Sequence, residues 1–268
     1  MFFRLDKDLN SERLEYWNSR SKMGLEAGTP DVNLKHLEIK KILELLPETG
    51  FILDAGCGNA YTLCEIIKKK NGIKAFGFDY SPNMIRNGIE EVKLNGFEDH
   101  ITLFNADIIN SSFDRFDIPE LRNGFDCIYT ERSIINLNNF KEQKYAIERL
   151  WKLLKVNGKL ILCESFFDGL DQINHFRNSI NLPSIYLPWH NRYLRINELE
   201  KLSLSDSKLE IIEFSGSYYF VSRVVNAFNA KHQSITPSYD DHLNIMSLDL
   251  PNLNICGQAK IALFTKMS

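Results

Sequence analysis

Apolar positions along the chain alternate between a helical and an extended rhythm. From Thr29 to Leu46 they recur at Ile39, Ile42, Leu43 and Leu46, the i, i+3, i+4, i+7 spacing of a half-buried helix. Thr29-Pro30-Asp31 predicts its start, with Thr29 as N-cap and proline in the first turn, and Pro47 and Gly50 end it. A short apolar run, Phe51 to Leu53, reads as a strand, and Leu63, Ile66 and Ile67 mark an amphipathic helix. The alternation repeats with a strand at Lys74 to Phe78 and a helix from Ser81-Pro82 that turns Ile85, Ile89 and Val92 inward. Further strands are predicted at Ile101 to Phe104, Gly124 to Thr130, near Leu160, at Leu209 to Phe214 and at Ala259 to Thr265, with a helix from Phe140 to Leu154. No internal repeat or low-complexity tract interrupts the pattern, so one α/β domain is expected.

The first strand runs into Asp54-Ala55-Gly56-Cys57-Gly58-Asn59, a glycine turn that opens the next helix. Glycine accepts positive φ and, lacking a Cβ, lets a ligand lie against the backbone. The helix start behind it presents free N–H groups. A dinucleotide fingerprint needs a third glycine where Tyr61 stands, so an NAD-dependent oxidoreductase is disfavoured. Asp54, two places before the first glycine, suits a cationic ligand better than a pyrophosphate. A second acid, Asp79, closes the second strand about twenty positions after Gly56, the spacing at which a βαβ unit sets a carboxylate beside a ribose. A third, Asp107, follows the third strand.

These three acids in register resemble the class I S-adenosylmethionine-dependent methyltransferases, and Leu154-Lys155-Val156-Asn157-Gly158 is similar to that family's turn into its fifth strand. Valine and asparagine there replace the usual proline and glycine, and asparagine tolerates the left-handed conformation the turn needs. The resemblance implies a Rossmann-like, seven-stranded mixed sheet with the last strand antiparallel and helices on both faces. It implies S-adenosyl-L-methionine as cofactor, with S-adenosyl-L-homocysteine as product. It also implies cofactor contacts from Asp54, Gly56, Gly58, Asn59, Asp79, Tyr80, Met84, Asp107, Ile108 and Glu131, and from Tyr16 and Arg20 in an N-terminal lid spanning residues 1–29.

Composition narrows the acceptor. The formal charge of −3 gives no basic field for nucleic acid, and no apolar run is long enough to span a bilayer. Without a recognisable secretion signal the chain is expected to be cytoplasmic. Five cysteines without C-x-x-C spacing predict buried free thiols, and no acidic metal cluster is evident, so no metal is expected. Two long insertions, 166–207 and 216–257, carry polar and aromatic residues above the carboxyl edge of the sheet, where open α/β sheets keep their ligands. Asn174, Arg177, Tyr193 and Tyr218 are the candidate acceptor contacts. His190, whose unperturbed pKa near 6.5 suits neutral pH, is the candidate general base. Thr130-Glu131-Arg132, Asp168-Gly169-Leu170 and Trp189-His190-Asn191 are similar to bacterial small-molecule methyltransferases, some of which modify sugars or polysaccharides. The expected activity is methyl transfer to a hydroxyl or amine of a polar small molecule, a sugar or nucleotide sugar among them. The alternative is a non-catalytic, S-adenosylmethionine-binding regulatory subunit; oligomeric state is not encoded in any visible pattern.

Overall fold

A computed structural model of the chain describes residues 6–267, so residues 1 to 5 of the expected lid lie outside the described residues. In chain order the elements are α1 (Asp6–Arg20), α2 (Val32–Leu45), β1 (Thr49–Ala55), α3 (Tyr61–Lys69), β2 (Gly72–Asp79), α4 (Pro82–Leu94), β3 (Ile101–Asn105), α5 (Glu120–Asn123), β4 (Phe125–Glu131), α6 (Phe140–Lys152) and β5 (Leu154–Ser165). The second half continues with α7 (Phe167–Ser179), α8 (Ile196–Leu199), β6 (Ser207–Glu213), α9 (Gly216–Phe220), a π-helical turn (Val221–Val225), α10 (Asn226–Gln233), α11 (His242–Ser247) and β7 (Ala259–Lys266).

One sheet carries the fold, in the order β3-β2-β1-β4-β5-β7-β6. β1 to β5 pair in parallel, whereas β7 runs antiparallel to both β5 and β6, the topology the family resemblance implies. Strand alternation splits the core in two. Leu53, Phe78, Ile128, Leu160 and Phe264 point to one face and pack on Ile147, Leu150 and Trp151 of α6. Ile52, Ala75, Cys127, Ile161 and Ile261 point to the other, against Ile42 of α2, Leu63 and Ile66 of α3 and Ile85 of α4. Burying each large side chain in this way contributes about 1.5–3 kcal/mol, and covering both faces is what a parallel sheet requires. All five cysteines are buried and free. Among the described residues no helix is long and apolar enough to cross a membrane.

The register fixes where the strand-end acids lie. Asp54 pairs with Gly77 and Tyr129, Asp79 with Asn105, and Glu131 with Cys163, which sets Asp54, Asp79 and Glu131 along a single edge. Two local expectations are corrected. α2 is capped by Asp31, which accepts the Leu34 N–H at 3.1 Å, while the Thr29 hydroxyl accepts the Asp31 N–H. The aspartate prevails because its buried carboxylate is also held by Tyr218 and Arg223 from the second insertion. Ile89 on α4 is 52 % exposed, on the flank beyond the stripe that Ile85 and Val92 bury. The insertions are not mere loops, since α7 to α11 occupy much of them. Asn157 takes the expected left-handed conformation, at φ 63°.

Candidate active site

A cavity of about 560 Å³ opens at the carboxyl edge of β1, β2, β3 and β4, a size ordinary for a small-molecule site. Its floor is the glycine turn. Gly56 has φ 96°, and a Cβ there would fall 2.1 Å from the Ser133 hydroxyl, so only glycine lets the loop after β4 come this close. The Gly56 and Cys57 N–H groups both donate to the Phe78 carbonyl, at 2.8 and 2.9 Å, tying the turn to β2. α3 starts after Ala60 with no capping side chain, and its first residues, Tyr61 and Thr62, line the cavity.

Ten of the twelve residues expected to contact a cofactor line this space. Asp54, Gly56, Gly58, Asn59 and Glu131 surround the turn; Asp79, Tyr80 and Met84 come from the end of β2 and the start of α4; Asp107 and Ile108 follow β3. Asp79 accepts the Gly58 N–H at 3.1 Å and the Ser81 N–H at 2.8 Å, so it shapes the turn as well as facing the cavity. Burial raises its pKa to about 6, against the pull of those two N–H groups. Asp107 organises its own loop, accepting from the Ile109 N–H and the Asn110 amide. The other two residues, Tyr16 and Arg20, do not line the cavity. Tyr16 stacks on His190, with ring centroids 4.5 Å apart, while the Arg20 guanidinium donates to the Ala27 and Glu26 carbonyls.

Electrostatically the turn is an acidic pocket with cations behind it. The Asp54 Oδ1, Glu131 Oε1 and Tyr80 hydroxyl are buried without hydrogen-bond partners. Burial raises Asp54 to about 8, against the pull of the Tyr129 hydroxyl and with Glu131 adding to the rise. Glu131 is different: burial pushes its pKa up, but Lys35 and Arg132 together outweigh that and hold it below the usual carboxylate range. Its Oε2 receives Lys35 Nζ and the Thr62 hydroxyl, both at 2.7 Å. Behind it Glu38 lies 3.1 Å from Arg132, and burial raises Glu38 to about 8. Arg132 adopts a left-handed φ of 53°, a strained geometry for a residue with a side chain. The loop that imposes this is anchored by buried Glu164, which takes the Thr130 hydroxyl at 2.6 Å and the Ser133, Ile134 and Ile135 N–H groups.

The expected acceptor residues lie elsewhere, their polar atoms engaged in packing the insertions. Asn174 exchanges two bonds with Ile185, Arg177 donates to the Pro183 and Arg223 carbonyls, the Tyr193 hydroxyl accepts from Gln258, and the Tyr218 hydroxyl donates to Asp31. His190 is not among the cavity-lining residues either. It is held between Tyr16, Trp17 and Trp189, and burial, aided by Arg13 and Arg20, lowers its pKa to about 4. Sequence reasoning passed over Lys35, Thr62, Ser133, Asn136, Glu142 and Arg13, all of which line the cavity. Single polar residues on helices and loops carry no motif, so nothing local distinguishes these from a solvated surface.

The methyltransferase domain family matches residues 48–182, half of the chain. The chain belongs to this methyltransferase domain family. S-Adenosyl-L-methionine is therefore the methyl donor, as the sequence resemblance implied. No curated protein matches the methyltransferase. Among solved structures it is similar to the magnesium protoporphyrin IX methyltransferase ChlM of Synechocystis PCC 6803 with bound S-adenosylmethionine, at TM-score 0.57 and 12 % identity over 99 % of this chain and 100 % of that one. It is similar to the N-methyltransferase NodS of Bradyrhizobium japonicum WM9 in complex with S-adenosyl-L-homocysteine, at TM-score 0.57 and 13 % identity over 96 % and 98 %. It is also similar to the [4+2]-cyclase SpnF, at TM-score 0.60 and 14 % identity over 96 % and 95 %. At such identities the likeness speaks for the fold alone, and a fold does not fix a reaction.

Proposed function

We propose that the cavity holds S-adenosyl-L-methionine and that the methyltransferase passes its methyl group to a hydroxyl or amine of a polar small molecule, with sugars and nucleotide sugars first in line. The observation that supports this best is the match between an acidic, partnerless set of buried atoms and the chemistry of the cofactor. Asp54, at the bottom of the glycine turn, would accept the ammonium of the amino acid moiety. Gly56 and Gly58 keep side chains out of its way. Asp79 retains lone pairs for the two ribose hydroxyls, and Asp107 would take the exocyclic amine of an adenine laid between Met84 and Ile108. When bound, the sulfonium supplies an electrophilic methyl carbon. What remains for the protein is to align the acceptor and exclude water.

Glu164 serves this by pinning the loop after β4, and with it Ser133, against the glycine turn. Lys35 and Thr62 keep Glu131 ionised and immobile beside it. Tyr16 and Arg20 act from α1 without lining the cavity, Tyr16 packing on the His190 and Trp189 rings of the first insertion. We assign His190 the same buttressing role, since its imidazole is neutral above a pH of about 4 and lies against both rings of α1's aromatic pair, Tyr16 and Trp17.

Methyl-labelled S-adenosylmethionine, incubated with the protein and a metabolite pool containing sugars and nucleotide sugars, tests the proposal. Label is expected to leave the cofactor, appear in one small-molecule fraction and release S-adenosylhomocysteine stoichiometrically. A protein that binds the cofactor but transfers no label to any fraction contradicts catalysis and supports the regulatory-subunit alternative.

A further inference from the structure

On another wall of the cavity, α1 meets the loop between β4 and α6. Arg13 stands there, only 8 % exposed and lining the cavity. A guanidinium carries five N–H donors. Of these, Nη1 reaches the Asn10 Oδ1 at a long 3.4 Å and Nη2 the Asn138 Oδ1 at 3.0 Å, while Nε has no partner at all. Among the described side chains no carboxylate forms an ion pair with it. Glu142 is the nearest candidate, but its Oε1 already receives the Asn138 and Asn139 amides and its Oε2 the Asn138 backbone N–H. The other cavity cations are matched, Lys35 by Glu131 and Arg132 by Glu38.

A buried, unpaired guanidinium is costly, because both its charge and its unused donors have left water. Burial accordingly lowers the pKa of Arg13. The chemistry that would complete it is an oxyanion, since the planar fork of arginine matches carboxylate and phosphate oxygens two at a time. Around it the walls are apolar, from Leu14 and Trp17 on α1 and Leu137 opposite. Asn136 adds one buried acceptor, its Oδ1, also without a partner.

We infer that Arg13 is the anion-recognising residue for the acceptor, so that the polar molecule methylated carries a carboxylate or phosphate next to an apolar part. This rests on the reading of the rest of the cavity as the cofactor site. The nearest alternative is that Arg13 serves a carboxylate of the cofactor itself. Its hydrogen-bond partners argue otherwise, because Asn10 on α1 and Asn138 in the loop after β4 both stand outside the set assigned to the cofactor.

Calorimetric titration of the full-length protein, saturated with S-adenosylhomocysteine, tests this with four probes: benzoate, phenyl phosphate, benzamide and phenol. At least one anionic probe is expected to bind about ten- to a hundredfold more tightly than its neutral counterpart, and which one does so separates carboxylate from phosphate. Arg13→Gln is expected to abolish that preference while leaving S-adenosylhomocysteine affinity unchanged, and Arg13→Lys to retain part of it, which also covers a glutamine variant that fails to fold. Equal binding of charged and neutral probes, no binding of either, or an anion preference that survives in Arg13→Gln overturns the inference. Parallel loss of S-adenosylhomocysteine affinity in Arg13→Gln would return the residue to the cofactor. A wild-type protein that ignores S-adenosylhomocysteine while Arg13 still selects anions would sink the cofactor reading, and with it the acceptor role, leaving Arg13 as an anion site alone.

Discussion

Asp79 and His190 show how one side chain's surroundings decide what it can do. Asp79 sits at a strand end, where a local rule of spacing puts a carboxylate beside the turn, and its two backbone donors come from within the same βαβ unit. That made it legible in the sequence. The environment of His190 depends on rings far from it in the chain, Tyr16 and Trp17 on α1, and on the burial they impose. An unperturbed pKa near 6.5 is therefore a poor guide for this residue, which stays neutral down to about 4. If its role is stacking, His190→Phe keeps turnover and cofactor affinity close to wild type. A proton-accepting role would instead lose about 10²- to 10⁴-fold in rate, and steady-state kinetics on the variant distinguishes the two.

Among elements, β1 to β5 and the helices packed on them were legible because their apolar periodicity answers to one nearby sheet. The insertions were not, because their partners lie across the molecule. Tyr218 and Arg223 reach back to Asp31, tying α9 and the π-helical turn to the first turn of α2, which itself delivers Lys35 to the cavity. No local pattern in either segment announces that bond. Through it the polar, tyrosine-rich second insertion braces α2. Removing the buried carboxylate leaves the Arg223 guanidinium without its partner, so Asp31→Ala is expected to cost about 3–5 kcal/mol in urea unfolding. Tyr218→Phe, which deletes one hydroxyl, should cost about 1 kcal/mol. Equal and small effects would mean that α2 and the insertion are held together by the apolar packing of Leu34, Tyr219 and Val224 instead.

For the whole molecule, the acidic cavity has a thermodynamic signature. Burial raises Asp54 and Glu38 to about 8, Glu164 to about 7 and Asp79 to about 6. A carboxyl whose folded pKa is raised stabilises the fold fully below its unfolded value near 4 and loses that contribution as pH rises through the folded value. The ligand-free protein should therefore melt at higher temperature at about pH 6 than at about pH 8.5. His190 works in the opposite sense below its unfolded pKa, one group against four. Asp54→Asn, which removes the charge and keeps the shape, should flatten the dependence in a calorimetric melting series; an unchanged slope would mean that Asp54 is already ionised without ligand. A cationic ligand beside Asp54 should in turn release a proton on binding.

The proposed function rests on a methyl-donor site built around the glycine turn and the acid at the end of β2. Isothermal titration of S-adenosylhomocysteine into the wild-type protein and into Asp79→Asn tests that most directly. Saturable one-to-one binding to the wild type, weakened about ten- to a hundredfold in the folded variant, is the predicted result. Absence of binding to the wild type, or equal affinity for both proteins, would contradict it.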